Sequence, residues 1–160
     1  VRPVLEQLAS FIELIHRNPN EVSYIDKWLI ERKIPVNDTT RAEYLMSPEG
    51  IIDQSLYALS QGIAKQWSNH LLFVEYDDLV NNTQQTMDGI YDWLEVPRFA
   101  HNLENIDNKY REDDSVYDLK DMHEVRPKVA KTARKPEDVL SAEIIAKYTG
   151  LDFWRKPRLV

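Results

Sequence analysis

The amino-acid sequence predicts a three-layer α/β fold. We expect it to be mostly helical, with few parallel strands. Two observations support this fold class. Apolar residues recur at helical spacing in five segments of the chain, and one short apolar run has the composition of a buried strand. Because a parallel strand needs partner strands, we expect the chain to be an N-terminally incomplete part of a larger sheet. Its 160 residues suffice for one core, so residues 1–160 are expected to belong to one domain.

The helical segments are marked by apolar periodicity and by residues that begin or end helices. Pro3 occupies a favourable first position for a helix that Pro19 ends, and residues 47–49 have the serine-proline sequence typical of another helix start. Residues 35–40 are expected to form a loop. The apolar positions of the predicted helices are Val4, Leu8, Phe11, Ile12 and Ile15; Val22, Ile25, Trp28 and Leu29; Ile52, Leu56, Leu59 and Ile63; Met87, Ile90, Tyr91 and Leu94; and Leu140, Ile144, Ile145 and Tyr148.

The predicted strand covers residues 71–76. Its first four residues are all apolar, which is typical of a strand buried on both faces of a parallel sheet. Ligands of open α/β sheets gather at the carboxyl ends of the strands, so Tyr76 is placed to meet the ring of a ligand. The alternative is that Tyr76 packs against the sheet edge while Asp77 and Asp78 begin a helical turn.

Composition excludes several classes of site. The chain has 20 basic and 27 acidic residues, a net charge of −7, which argues against binding a nucleic-acid backbone. It has no cysteine, and its four histidines lack the spacing of a helical metal site, so we expect no metal. The four glycines are too far apart for a glycine-rich phosphate loop. No apolar run approaches the roughly 18 residues of a membrane span, and no signal peptide is visible, so a cytoplasmic location is expected.

The first candidate site lies at the start of the first predicted helix. Arg2 stands just before this helix, and Ser10 lies two turns along the same face. A guanidinium group and a hydroxyl that meet around one anion suit a phosphate monoester. The same pair is also compatible with an ordinary solvated helix end.

A second candidate is a basic run in this acidic chain. Residues 126–135 contain five basic side chains, beginning with Arg126, and no acidic one. Such a local inversion of charge can focus an anion, for which a multiply charged nucleotide is a plausible ligand. The alternative is a solvated surface without a ligand.

Taken together, these segments resemble sulfotransferases that use 3′-phosphoadenosine 5′-phosphosulfate, in particular bacterial and tyrosylprotein-type members. Residues 73–80 and 87–97 look like the "YEDL…L…FLGLP" segment of that family. Arg2 and Ser10 stand eight residues apart, as in the family's 3′-phosphate segment. Residues 125–128, together with the aromatic residues near the end of the sequence, resemble the C-terminal part of these enzymes.

The resemblance implies a three-layer P-loop-type sulfotransferase fold, of which residues 1–160 would form the C-terminal part. It also implies the transfer of a sulfuryl group from 3′-phosphoadenosine 5′-phosphosulfate to an acceptor hydroxyl or amine. The family's 5′-phosphosulfate loop and its usual catalytic base lie upstream of the arginine segment, and neither is present here. No catalytic residue is therefore assigned, and the chain by itself is expected to be inactive.

The resemblance also implies roles for four residues of the donor site. Arg2 and Ser10 would hold the 3′-phosphate of the nucleotide, and Tyr76 would lie near its adenine. Arg126 would contact the nucleotide phosphates. Asp77 stands where the family commonly has glutamate. The acceptor is not identified, and we expect another chain or a preceding segment to complete the sheet.

The alternative function is a non-catalytic helical module that recognises another protein. Trp28, Tyr44 and Trp67 would be its exposed aromatic contacts, and the missing glycine loop favours this alternative. Binding of adenosine 3′,5′-bisphosphate would separate the two hypotheses, because an interaction module should ignore that nucleotide.

Overall fold

The computed structural model describes residues 1–110, 112–131 and 134–155, without the side chain of Ser68. Within these ranges the chain forms helices joined by turns and irregular segments. Short 3₁₀ helices lie at Trp67–His70, Asp114–Tyr117, Pro136–Asp138 and Phe153–Arg155. The α-helices are α1 (Val4–Arg17), α2 (Tyr24–Glu31), α3 (Asp38–Leu45), α4 (Ile51–Ala64), α5 (Tyr76–Asn81), α6 (Thr83–Trp93) and α7 (Ala142–Tyr148).

The predicted α/β fold is wrong, since no β-strand occurs in the described part of the chain. There is accordingly no parallel sheet and no three-layer P-loop-type arrangement in these residues. The five helices that apolar periodicity predicts are confirmed as α1, α2, α4, α6 and α7. The fold that the structure supports is a mostly helical one.

Residues 71–75, the body of the predicted strand, have no regular secondary structure, and Tyr76 begins α5. Two backbone hydrogen bonds join this part of the chain to Val1. Tyr76 N donates to Val1 O at 2.8 Å, and Val1 N donates to Val74 O. Apolar β-forming residues favour an extended backbone, but a strand also needs a partner along its length. Leu72 is 41% exposed, so the segment is not the doubly buried strand that its composition indicates.

The start of α5 explains why Tyr76 is not a strand residue. Asp77 and Asp78 lie in the first turn of this helix, where the positive end of the helix dipole stabilises carboxylates. The second interpretation of this segment, in which the two aspartates begin a helical turn, is therefore the one the structure supports.

Helix α3 was not predicted, because residues 35–40 were expected to be a loop. Asn37 accepts a hydrogen bond from Thr40 N at 3.0 Å, and Asn37 N donates to the Thr40 hydroxyl at 3.1 Å. This reciprocal pair is a capping box that satisfies free backbone donors at the helix start. This capping box can be recognised in the sequence as an asparagine three residues before a threonine.

The junction of α3 and α4 requires a glycine. A Cβ atom at Gly50 would lie 2.1 Å from Tyr44 O, closer than any side chain could approach. Gly50 N also donates to Ser47 O at 2.8 Å, which closes the turn. Glycine therefore permits this close backbone approach at the start of α4, whose middle residues line a cavity together with residues of α1.

The core lies between α1, α2, α3, the first turn of α4 and α7. Helices α5 and α6 bury no side chain fully, and the irregular segments contribute Leu119 and Leu140 to the core. The N-terminal half and α7 therefore form the stable scaffold on which the remaining residues are placed. Its fully buried apolar side chains include Val4, Leu8, Ile12, Ile25, Leu29, Leu45, Ile52 and Ile144.

A buried ion pair joins α2 to α3. Asp26 is only 6% exposed, and Arg41 donates to both of its carboxylate oxygens at 2.8 and 3.0 Å. Arg41 also donates to Asp38 at 2.9 Å. The hydrogen bonds to Asp26 are the main reason that the pKa of Arg41 is raised.

No helix in the described residues is both long enough and apolar enough to cross a membrane.

Removing Arg41, the cation of the buried ion pair with Asp26, should destabilise the fold. We expect Arg41→Met to lower the free energy of unfolding by about 3 kcal/mol, because Asp26 would stay buried without its partner. Urea denaturation at pH 7 measures the change. The matched control is Lys147→Met, which removes the exposed pair with Glu43 and should leave stability nearly unchanged. Equal, small effects of the two substitutions would contradict the assignment.

Candidate functional site

A cavity of about 640 Å³ lies between the first turns of α1, the middle of α4 and the start of α5. Its walls are mostly apolar, and its polar groups are few, as in many small-molecule sites. Three of the four predicted site residues, Arg2, Ser10 and Tyr76, line this cavity. We call it the Arg2 cavity. Among its apolar wall residues are Phe11, Leu56, Leu59, Leu79 and Trp154.

Arg2 has only part of its guanidinium group satisfied. Its Nε donates to Glu6 Oε2 at 3.3 Å, and the guanidinium carbon lies 4.7 Å from the centre of the Tyr76 ring. Its Nη2 is buried and has no hydrogen-bond partner among the described residues. A buried donor left unpaired costs about 1–3 kcal/mol, so an acceptor placed beside Nη2 would be bound favourably.

Backbone contacts from distant segments fix the residues around Arg2. Val4 N donates to the Asp152 carboxylate at 2.8 Å, which caps a helix whose own N-cap residue, Pro3, offers no side-chain hydrogen bond. Gln7 donates to Arg2 O at 2.7 Å. On the N-terminal side of Arg2, the backbone of Val1 is fixed by hydrogen bonds with Val74 and Tyr76. Arg2 is thus placed by contacts on both sides of its backbone.

Tyr76 reaches the cavity from the first residue of α5, not from the end of a strand. One face of its ring is covered by the Arg2 guanidinium in a cation–π contact. A ligand ring could therefore meet Tyr76 only at its other face or its edge.

Arg126 does not line the Arg2 cavity. It lines a neighbouring cavity of about 230 Å³, together with Arg17 and His123. The two cavities share Ser10 and Phe11 as wall residues. The structure therefore brings Arg2, Ser10 and Tyr76 to one site and places Arg126 beside it.

The basic run beginning at Arg126 is largely paired with carboxylates, so it is not an open positive surface. Of its ten residues, Thr132 and Ala133 lie outside the described part of the chain. The pairings neutralise acidic side chains of α1, α5 and the irregular region. They are Lys128 with Glu104, Lys131 with Asp77 at 2.6 Å and with Glu6 at 3.8 Å, and Arg134 with Glu13 at 3.3 Å.

A second ion pair holds the C-terminal segment against the site. Arg155 donates to both carboxylate oxygens of Glu75, at 3.1 and 2.5 Å. This pair positions Trp154, a wall residue of the Arg2 cavity. The Arg155 guanidinium is also the largest cause that lowers the pKa of Glu75.

Sequence reasoning missed Glu6 and Asp152, and it placed Lys131 in the basic run of residues 126–135 without its partners Glu6 and Asp77. Glu6 could have been found, because it stands four residues after Arg2 and side chains at this spacing meet on a helix. Asp152 and Lys131 carry no such signal, since their partners lie more than 50 residues away along the chain.

The described residues contain no group of three or more histidine, aspartate or glutamate side chains arranged to hold a metal ion.

In the comparisons with known proteins, no protein-family model, no curated protein and no solved structure matches this chain.

The Glu75–Arg155 pair should weaken in acid. The pKa of Glu75 is lowered in the folded state, so the pair contributes fully above the ordinary glutamate value near 4.3 and its contribution is lost as the pH falls through the lowered value. An NMR titration of the Glu75 carboxyl should therefore show a midpoint below about 4.3. Arg155→Met should return the midpoint towards the ordinary value. An unchanged midpoint in this variant would show that Arg155 is not the cause.

Proposed function

We propose that this chain binds the adenosine 3′-phosphate part of 3′-phosphoadenosine 5′-phosphosulfate and forms the donor-nucleotide side of a sulfotransferase. The observation that carries this proposal is the cavity that Arg2, Ser10 and Tyr76 line together, with Nη2 of Arg2 buried and unpaired among the described residues. The resemblance of the sequence to such enzymes implies donor-site roles for these same three residues.

The chemistry of the cavity suits a ligand that carries both a phosphate monoester and an aromatic ring. A phosphate oxygen beside Arg2 would accept a charged hydrogen bond from Nη2, and the Ser10 hydroxyl could donate a second one. The volume of about 640 Å³ lies within the roughly 300–1,000 Å³ of small-molecule sites. A purine ring would contact the apolar wall formed by Phe11, Leu56 and Trp154 and the free face or edge of Tyr76.

In this proposal the chain positions the donor nucleotide, and none of its residues is assigned as the catalytic base. Sulfuryl transfer would form a bond between the acceptor oxygen or nitrogen and the sulfur while the bond from sulfur to the nucleotide phosphate breaks. Such a reaction depends chiefly on orientation and charge stabilisation. No acceptor is named, and a cytoplasmic location remains a prediction.

The second candidate, a non-catalytic protein-binding module, has support from Trp67, which is 54% exposed. Trp28 and Tyr44, however, pack against the core with their ring centroids 4.8 Å apart. Trp28 and Tyr44 are therefore half-buried and only Trp67 of the three is largely exposed, so the donor-site proposal is the better supported of the two.

Adenosine 3′,5′-bisphosphate should bind to the wild-type chain and perturb the NMR signals of residues that line the Arg2 cavity. Arg2→Met should weaken this binding by about 1.5–3 kcal/mol, because a charged hydrogen bond to phosphate is lost. Ser10→Ala should cost about 1 kcal/mol, since a neutral hydroxyl is removed. Affinities from NMR titration at fixed salt concentration measure both changes.

The matched control is Arg98→Met, which removes an exposed arginine paired with Asp92 on α6 and should leave nucleotide affinity unchanged. Equal weakening by Arg98→Met would show that binding follows net charge alone. Wild-type protein that gives no signal changes with the nucleotide would overturn the proposal.

The part played by Arg126 can be tested in the same way. Because Arg126 lies in the cavity beyond Ser10 and Phe11, Arg126→Met should weaken nucleotide binding less than Arg2→Met does. If Arg126→Met weakens binding more than Arg2→Met, the phosphate occupies the smaller cavity, and the assignment to Arg2 is wrong.

A further inference from the structure

One carboxylate, Glu6, lies between two cations, of which Arg2 lines the Arg2 cavity. Its Oε2 accepts the Nε hydrogen bond of Arg2 at 3.3 Å, and its Oε1 lies 3.8 Å from Lys131 Nζ. Lys131 in turn donates to Asp77 at 2.6 Å. The four side chains thus form a row of alternating charge that joins α1, the irregular segment and α5.

Glu6 is poorly solvated, so its charge must be balanced by its neighbours. Its side chain is 17% exposed, and that of Arg2 is 20% exposed. Without Lys131, the carboxylate would be balanced by Arg2 alone. An anion entering the cavity would then meet a guanidinium group already neutralised by Glu6, and it would be repelled by that carboxylate at short range.

Lys131 is held in place by a partner outside the cavity, Asp77. The hydrogen bond to Asp77 is the main reason that the pKa of Lys131 is raised. Lys131 can therefore offset Glu6 at neutral pH without itself lining the cavity.

We propose that Lys131 is a positioning residue of the anion site: by neutralising Glu6, it leaves the Arg2 guanidinium available to a ligand anion. The identity of that ligand rests on the proposed function, but the electrostatic role of Lys131 does not. Lys131 acts through Glu6, so its effect should vanish when the carboxylate of Glu6 is absent.

The experiment compares wild type, Lys131→Met, Lys131→Arg, Glu6→Gln and the double variant Glu6→Gln with Lys131→Met. Adenosine 3′,5′-bisphosphate is the probe, and its affinity is measured by NMR titration. We expect Lys131→Met to weaken binding about tenfold, the effect of an uncompensated neighbouring charge. Lys131→Arg should retain binding. In the Glu6→Gln background, Lys131→Met should change affinity less than about twofold.

A second readout needs no ligand and separates the two proposals. The Nε–H resonance of Arg2, observed in ¹⁵N-labelled protein, reports its bond to Glu6. Lys131→Met should shift this resonance by strengthening that bond, and Glu6→Gln should abolish the shift.

If the nucleotide does not bind wild type but the Arg2 resonance responds as described, the proposed function fails and the electrostatic coupling of Lys131 to Arg2 through Glu6 stands. If the nucleotide binds wild type and Lys131→Met binds it equally well, the role of Lys131 is overturned and the proposed function stands. An equal loss of affinity from Lys131→Met in the wild-type and Glu6→Gln backgrounds would also overturn it, because Lys131 would then act independently of Glu6. Melting temperatures of all variants, taken in parallel, identify any variant that loses affinity through unfolding.

Discussion

The site depends on how the first four residues are held. Val1 pairs with the backbone of residues 74–76, and Val4 N is capped by Asp152. These two contacts connect the start of α1 to segments more than 70 residues away. Without them, the N-terminal end of α1 would fray, since helix ends leave backbone donors unpaired. Because Arg2 lies between the two contacts, its backbone is fixed beside the cavity that its side chain helps to line.

The rest of α1 turns this local constraint into a binding surface. Val4, Leu8 and Ile12 are buried in the core and fix the rotation of the helix. Its neighbouring face then carries Ser10 towards the same cavity that Arg2 lines. The C-terminal segment adds Trp154 as a wall, held there by the pair of Arg155 with Glu75. Helical packing and a few long-range ion pairs together form the site.

The sequence predicted those features that depend on near neighbours along the chain. Five helices follow from apolar spacing, and Arg2 and Ser10 share a cavity because Arg2 stands just before α1 and Ser10 lies on it. The strand prediction failed because a strand depends on partner strands that local composition cannot reveal: two backbone hydrogen bonds join Val74 and Tyr76 to Val1, and no strand forms in the described residues. The cap from Asp152 and the pairing of Lys131 were missed for the same reason, since tertiary packing brings these residues to the site.

The most direct test of this account is a crystal structure of the chain with adenosine 3′,5′-bisphosphate. The account predicts the 3′-phosphate within hydrogen-bond distance of Arg2 Nη2 and the Ser10 hydroxyl, with the purine against the apolar wall of the Arg2 cavity. A phosphate bound only at the Arg126 cavity, or a nucleotide on the surface with Arg2 Nη2 still unpaired, would contradict it.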